Sequence, residues 1–124
     1  MAFVAISHKK HADLRISSSN NLLGFAEKSS LPLYAVDVSG VACDYPIFFS
    51  QIEDTYRLNM MCSIDPKLRS VCITQEGEWV GFYAPAYLRQ QPFAVLSNSE
   101  DDQQRVVCID DESPMLGEEG EVLF

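Results

Sequence analysis

Apolar residues in this chain come in short runs, and clusters of polar turn formers break them at close intervals. Met1-Ala-Phe-Val-Ala-Ile6 predicts a first strand. Ser17-Ser-Ser-Asn-Asn21 predicts the strongest loop, because its side chains compete for backbone hydrogen bonds. Leu22–Glu27 and Leu31–Val36 read as strand segments separated by Lys28-Ser-Ser30. Val38, Val41 and Ala42 then have helical spacing, with Asp37 or Ser39 as cap, and Pro46 stops that helix early. Pro46–Gln51 and Tyr56–Ile64 read as paired strands around Glu53-Asp54-Thr55. Ser70–Thr74 and Trp79–Tyr83 form a second hairpin around Gln75-Glu-Gly-Glu78, with Gly77 at positive φ. The last hairpin runs through Pro92–Leu96, Ser97–Asp102 and Arg105–Ile109.

The segment Tyr83-Ala-Pro-Ala-Tyr-Leu-Arg-Gln-Gln-Pro-Phe93 stands apart from this alternation. Each proline fixes its own φ and biases its predecessor towards extended backbone, so the segment predicts one helical turn between two stops. Hairpins with one or two short helices predict an α+β domain on a mainly antiparallel, strongly twisted β-sheet. A small, partly open β-barrel is the alternative. No repeat of domain-building length is visible, and 124 residues with 47% apolar content predict a single domain spanning residues 1–124.

Charge narrows the range of partners. The formal net charge is −9, and residues 100–124 hold nine acids against Arg105, so the rest of the chain is almost neutral. The cations are scattered rather than gathered in a stripe, which argues against nucleic acid as a partner. The acidic end reads as a solvated loop and tail, or as a surface for a basic partner. No apolar run is long enough to span a bilayer, and Lys9 and Lys10 follow the first apolar run instead of preceding it, unlike a signal peptide. A cytoplasmic location is expected. Cys43, Cys62, Cys72 and Cys108 form no CxxC pair and sit among apolar neighbours, so they read as small, reduced, buried hydrophobes.

No nucleophile elbow, P-loop, dinucleotide fingerprint or metalloprotease helix occurs, so no catalytic residue, cofactor or metal is expected. His8 and His11 with Asp13 have the residue types of a two-histidine, one-carboxylate site, but a histidine that hydrogen-bonds locally or orients Arg15 is the simpler reading. Asp44-Tyr45 before Pro46 joins a carboxylate and a phenol on stiff backbone, where the acid serves the turn or positions a ligand. Trp79, Phe82, Tyr83, Tyr87 and Phe93 are core material first. Arg89 is a lone cation among these rings, suited to a buried carboxylate, a ring face or an anionic partner, with Asp110 and Asp111 as internal candidates. The candidate binding residues are therefore His11, Arg15, Asp44, Tyr45, Trp79, Tyr83, Tyr87 and Arg89.

His11-Ala-Asp-Leu-Arg-Ile16, Asp44-Tyr-Pro-Ile-Phe-Phe49, Trp79, the Tyr83–Phe93 segment and Cys108-Ile-Asp-Asp-Glu-Ser-Pro114 resemble, in order and approximate spacing, the N-terminal part of SapC-like proteins. The resemblance covers nearly the whole chain. It implies an association with bacterial surface-layer gene clusters, with relatives encoded near outer-membrane receptors and flavin-dependent halogenases, and no agreed reaction. Relatives continue into a helical C-terminal portion, so this chain reads as a shortened member or an excised domain whose acidic segment, residues 110–124, closes it. The expected role is a non-enzymatic interaction module of a surface-layer or surface-protein pathway, with a protein partner engaged around Tyr83–Phe93. The alternative is an enzyme or enzyme accessory for a small molecule or peptide, which requires His11, Arg15, Asp44, Tyr45 and Arg89 in one pocket. Dimerisation through sheet edges or through Val122–Phe124 is compatible with either.

Overall fold

A computed structural model describes residues 2–17, 21–98 and 103–124. The centre of the predicted serine and asparagine loop and the tip of the last hairpin lie outside the described residues. The chain divides into two compact units, one continuous, Asn21–Arg89, and one made of Met1–Asn20 with Gln90–Phe124. The architecture is α+β. Short strands form three antiparallel three-stranded sheets accompanied by one-turn helices, and no closed barrel forms among the described residues.

The continuous unit is organised by β3 (Ser30–Pro32), β4 (Ile47–Ile52) and β5 (Thr55–Met61), in the order β3-β5-β4. Register explains why this sheet has one buried face. Leu31, Met60 and Ile47 lie side by side across the three strands, and Met60 is fully buried between them. A one-residue slip would turn this row outward, so the hydrophobic pattern fixes the pairing. The turn Glu53-Asp54 closes the predicted β4–β5 hairpin, with Glu53 in the left-handed region at φ 54°, which suits the twist of a two-residue connection. Leu22, Phe25, Ala26, Leu33, Val41, Ile73 and Leu88 complete the core. Each of these side chains apart from Ala26 contributes about 1.5–3 kcal/mol when fully buried.

Two predicted segments of this unit take other forms. Leu22–Glu27 is not a strand: Leu23–Phe25 is a 3-10 turn that buries Phe25 and Ala26 and exposes Leu23 and Gly24, a one-sided pattern that a short apolar run does not distinguish from a strand. Leu31–Val36 is a strand only at its start, because Ala35–Asp37 turns into a 3-10 helix leading to α2 (Val38–Val41). The second hairpin shrinks to a single bridge, Ile73 to Trp79, with Gly77 at φ +88° as expected. The proline-bounded turn is present as α3 (Ala86–Arg89), which starts directly after Pro85.

The other unit pairs β1 (Phe3–Ala5), β7 (Arg105–Asp110) and β6 (Phe93–Ser97) in the order β1-β7-β6, so the first predicted strand and the last predicted hairpin form one sheet. α1 (His8–His11) follows β1. The acidic end is more than a tail. β8 (Leu116–Gly117) and β9 (Glu121–Val122) flank β2 (Arg15–Ile16) on both sides. Arg15 reinforces this by donating from Nη1 to the Gly120 carbonyl at 3.0 Å. Gly120 takes φ +116°, and a Cβ there would run into the Ile16 carbonyl, so the turn between β8 and β9 depends on that glycine.

Candidate binding site

The continuous unit holds six of the eight candidate residues, and they form two groups. The first centres on Asp37, a residue read from the sequence only as a helix cap. Its side chain does not cap α2, and it is fully buried. Oδ2 accepts the Tyr34 N–H at 3.1 Å, while Oδ1 accepts the Tyr83 hydroxyl at 2.8 Å and the Ala86 N–H, at the start of α3, at 3.0 Å. Arg89 is the fourth member. Its Nη2 lies 3.7 Å from Oδ1 and donates to the Tyr83 hydroxyl oxygen at 3.2 Å, with the guanidinium 5.4 Å from the Tyr83 ring centre. The partner of Arg89 is thus Asp37 and not Asp110 or Asp111. Asp110 instead accepts the Ala2 and Glu112 N–H groups.

This arrangement explains the local sequence. A buried carboxylate must be hydrogen-bonded or paired, and the stretch Tyr83–Arg89 offers a phenol, an amide and a guanidinium within seven residues. Accepting a hydrogen bond from Tyr83 favours the neutral phenol, so the Tyr83 pKa is raised chiefly by Asp37, then by burial, with Arg89 opposing. Tyr87 packs edge-on against Phe25, with ring centres 5.8 Å apart, and burial raises its pKa, helped by Tyr34. Tyr83 and Tyr87 pack against the core, whereas the Arg89 side chain is 56% exposed and Phe82, expected in the core, is 97% exposed.

The second group lines a cavity of about 550 Å³. Asp44 and Tyr45 form part of its wall, together with Cys62 and Cys72, and its apolar rim is made by Ile64, Leu68 and Val71, which are 93%, 60% and 82% exposed. Asp44 itself is solvent-exposed, and its amide closes the turn after α2 on the Val41 carbonyl at 3.0 Å. Burial pushes the Tyr45 hydroxyl up to about 12, and the Cys72 thiol beside it adds to the shift. Burial likewise pushes the Cys62 thiol up to about 12, with Cys72 adding to it. Tyr45 and Cys62 stay protonated at neutral pH, so behind the aliphatic rim a neutral hydroxyl and thiol stand beside the Asp44 and Asp65 carboxyl groups and the Arg69 guanidinium, which also line the cavity.

Trp79 stands behind Tyr45, with ring centres 6.2 Å apart. The backbone of Gly81 closes on this pair: a Cβ there would lie 2.8 Å from Trp79 Nε1 and would run into the Tyr45 hydroxyl. Trp79 Nε1 is buried without a hydrogen-bond partner among the described residues.

His11 and Arg15 belong to the other unit. His11 is buried, and its Nδ1 lies 3.0 Å from the Ser7 amide nitrogen and 3.1 Å from the Ser7 carbonyl oxygen, so it closes its own helical turn. His8 is exposed against Phe124, ring centres 5.2 Å apart. No group of three or more His, Cys, Asp and Glu side chains gathers as a metal ion would require, among the described residues. Cys62, Cys72 and Cys108 are buried, but Cys43 is exposed, because the turn after α2 carries it away from the core.

The sequence model of the SapC family matches residues 6–124. The chain belongs to the SapC family. Comparison with curated proteins gives no match, and neither does comparison with solved structures. The matched range includes the Asp37 network and the whole cavity wall, so both are features of a SapC-family chain. No helix among the described residues is long and apolar enough to cross a membrane.

Proposed function

We propose that this chain is a non-enzymatic accessory of a bacterial surface-layer or surface-protein pathway, working from the cytoplasm, and that it holds an apolar stretch of a protein partner in the cavity beside Tyr45. The observation that carries this reading is the rim. Three large aliphatic side chains standing 60–93% exposed around one 550 Å³ concavity form an apolar patch with a pocket, the usual form of a contact site. Two polar groups of the wall support binding over bond-making, because the half-buried Tyr45 and the buried Cys62 keep their protons at neutral pH. On this reading the contact lies on the Tyr45 wall, while Tyr83 and Tyr87 of the Tyr83–Phe93 segment pack against the core.

Trp79 provides the assay, since it is the single tryptophan and rests on the ring that lines the cavity. Leucine- and phenylalanine-rich peptides, including segments of surface-layer precursors, are titrated while Trp79 emission is followed. Saturable change that disappears in Val71→Glu supports the reading. Absence of saturation with every peptide, or the same saturation in Val71→Glu, refutes it.

A further inference from the structure

A second cavity of about 300 Å³ in the continuous unit has the opposite character. Lys28 and Arg57 both line it, and no carboxylate does. That is unexpected in a chain with 18 acids and 9 cations. Neither cation forms an ion pair or a side-chain hydrogen bond among the described residues. Lys28 and Arg57 are both solvent-exposed, and two like charges at one concavity repel each other, which a bound anion would relieve.

The sheet arranges the polar wall. Ser50 lies opposite Arg57 in the β4–β5 register, and Asn59 follows on the same face of β5. Asn59 Nδ2 donates to the Arg57 carbonyl at 2.9 Å and to Ser50 Oγ at 2.8 Å. The carbonyl can only accept, which fixes the amide orientation. Ser50 Oγ therefore accepts within the sheet and keeps its own hydrogen to donate. The cavity thus offers an ammonium, a guanidinium and a hydroxyl as donors. Phe25 and Tyr87, packed edge to face, also line it and add an aromatic wall.

We propose that this cavity binds a small organic anion: a ring lying against Phe25 and Tyr87, with a carboxylate or phosphate held by Lys28, Arg57 and Ser50. The volume is at the lower end for small-molecule sites and suits one ring with its charged group. Arg57 provides the paired donors that planar anions favour, and Lys28 adds a point charge. The site is independent of the cavity beside Tyr45, and either can fail without the other.

Backbone amide NMR shifts of the full chain test it, with benzoate, phenyl phosphate, inorganic phosphate and benzyl alcohol as probes. The expected result is saturable shifts at Lys28, Ser50, Arg57 and Asn59 with benzoate or phenyl phosphate, with benzyl alcohol at least about tenfold weaker. Phenyl phosphate saturating well below benzoate would assign the head group as phosphate, and the reverse as carboxylate. In K28Q/R57Q, affinity for the better anion should fall by about tenfold or more, with the remaining spectrum unchanged. Three results overturn the proposal: no saturation by either aromatic anion up to about 20 mM, equal binding of benzyl alcohol, or unaltered affinity in K28Q/R57Q. Inorganic phosphate binding as tightly as phenyl phosphate would also overturn it, since the aromatic wall would then have no part.

Discussion

Replacing Asp37 by alanine tests whether Tyr83–Arg89 is held by a buried carboxylate. The substitution leaves the Tyr34 and Ala86 N–H groups without their acceptor and removes the partner of the Tyr83 hydroxyl. A hydrogen bond to a charged group contributes about 1.5–3 kcal/mol, and buried donors left unpaired lose most of that. Counting only the two amides, since Tyr83 and Arg89 regain water, Asp37→Ala should destabilise the protein by about 3 kcal/mol. For a chain of this size that is a fall of roughly 12 °C in Tm. Asp37→Asn should cost less, because it keeps the volume and one acceptor oxygen. Arg89→Ala, at a half-exposed side chain, should cost under about 1 kcal/mol. The assay is urea unfolding followed by Trp79 emission, which reports on the same unit, alongside far-ultraviolet circular dichroism. Asp37→Ala within about 0.5 kcal/mol of the parent, or Arg89→Ala costing more than Asp37→Ala, would refute the reasoning.

Two other expectations concern protons and thiols. Tyr45 and Cys62 have folded pKa values raised to about 12 from 10.0 and 9.0, and Tyr83 and Tyr87 shift the same way. Their contribution is therefore complete below pH 9 and is lost as pH rises towards 12, because the unfolded chain releases these protons first. The urea midpoint should fall steadily over that range, and an unchanged midpoint would contradict the burial of these groups. With Ellman's reagent at neutral pH, the native protein should release one prompt equivalent, from Cys43, and four after denaturation; two or more prompt equivalents would contradict the burial of Cys62, Cys72 and Cys108.

What could be read from the sequence was local. Pro85 and Pro92 delimit α3, the alternation through Ile47–Ile52 and Thr55–Met61 marks a hairpin, and Gly77 takes its positive φ, because each depends on neighbours a few residues away. The Asp37 network was hidden for the opposite reason. Its partners Tyr83 and Ala86 are 46 and 49 residues further along, so Asp37 carries only the local signature of a cap. The strands β2, β8 and β9 have two residues each, too few to show any period, and the carboxylates around β9 suggest a solvated tail. The cavity wall was half visible. Asp44 and Tyr45 stood out as a polar pair on stiff backbone, whereas Ile64, Leu68 and Val71 look like ordinary core residues until their exposure is known. Lys28 and Arg57 were passed over because they meet at one cavity only once the chain after the 3-10 turn enters β3 and pairs with β5.

The division of the chain has a consequence for synthesis. Asn21–Arg89 is an uninterrupted stretch, while its companion is split around it. On a ribosome the middle unit has all of its residues as soon as Arg89 emerges, and its mostly local strand pairing lets it fold then. β1 and β2 emerge earlier but must wait, since their neighbours β7, β8 and β9 are translated only after the middle unit. A nascent chain stalled before Leu116 would thus display Arg15–Ile16 with both strand edges open, an interval in which a chaperone or a second nascent copy could pair with it.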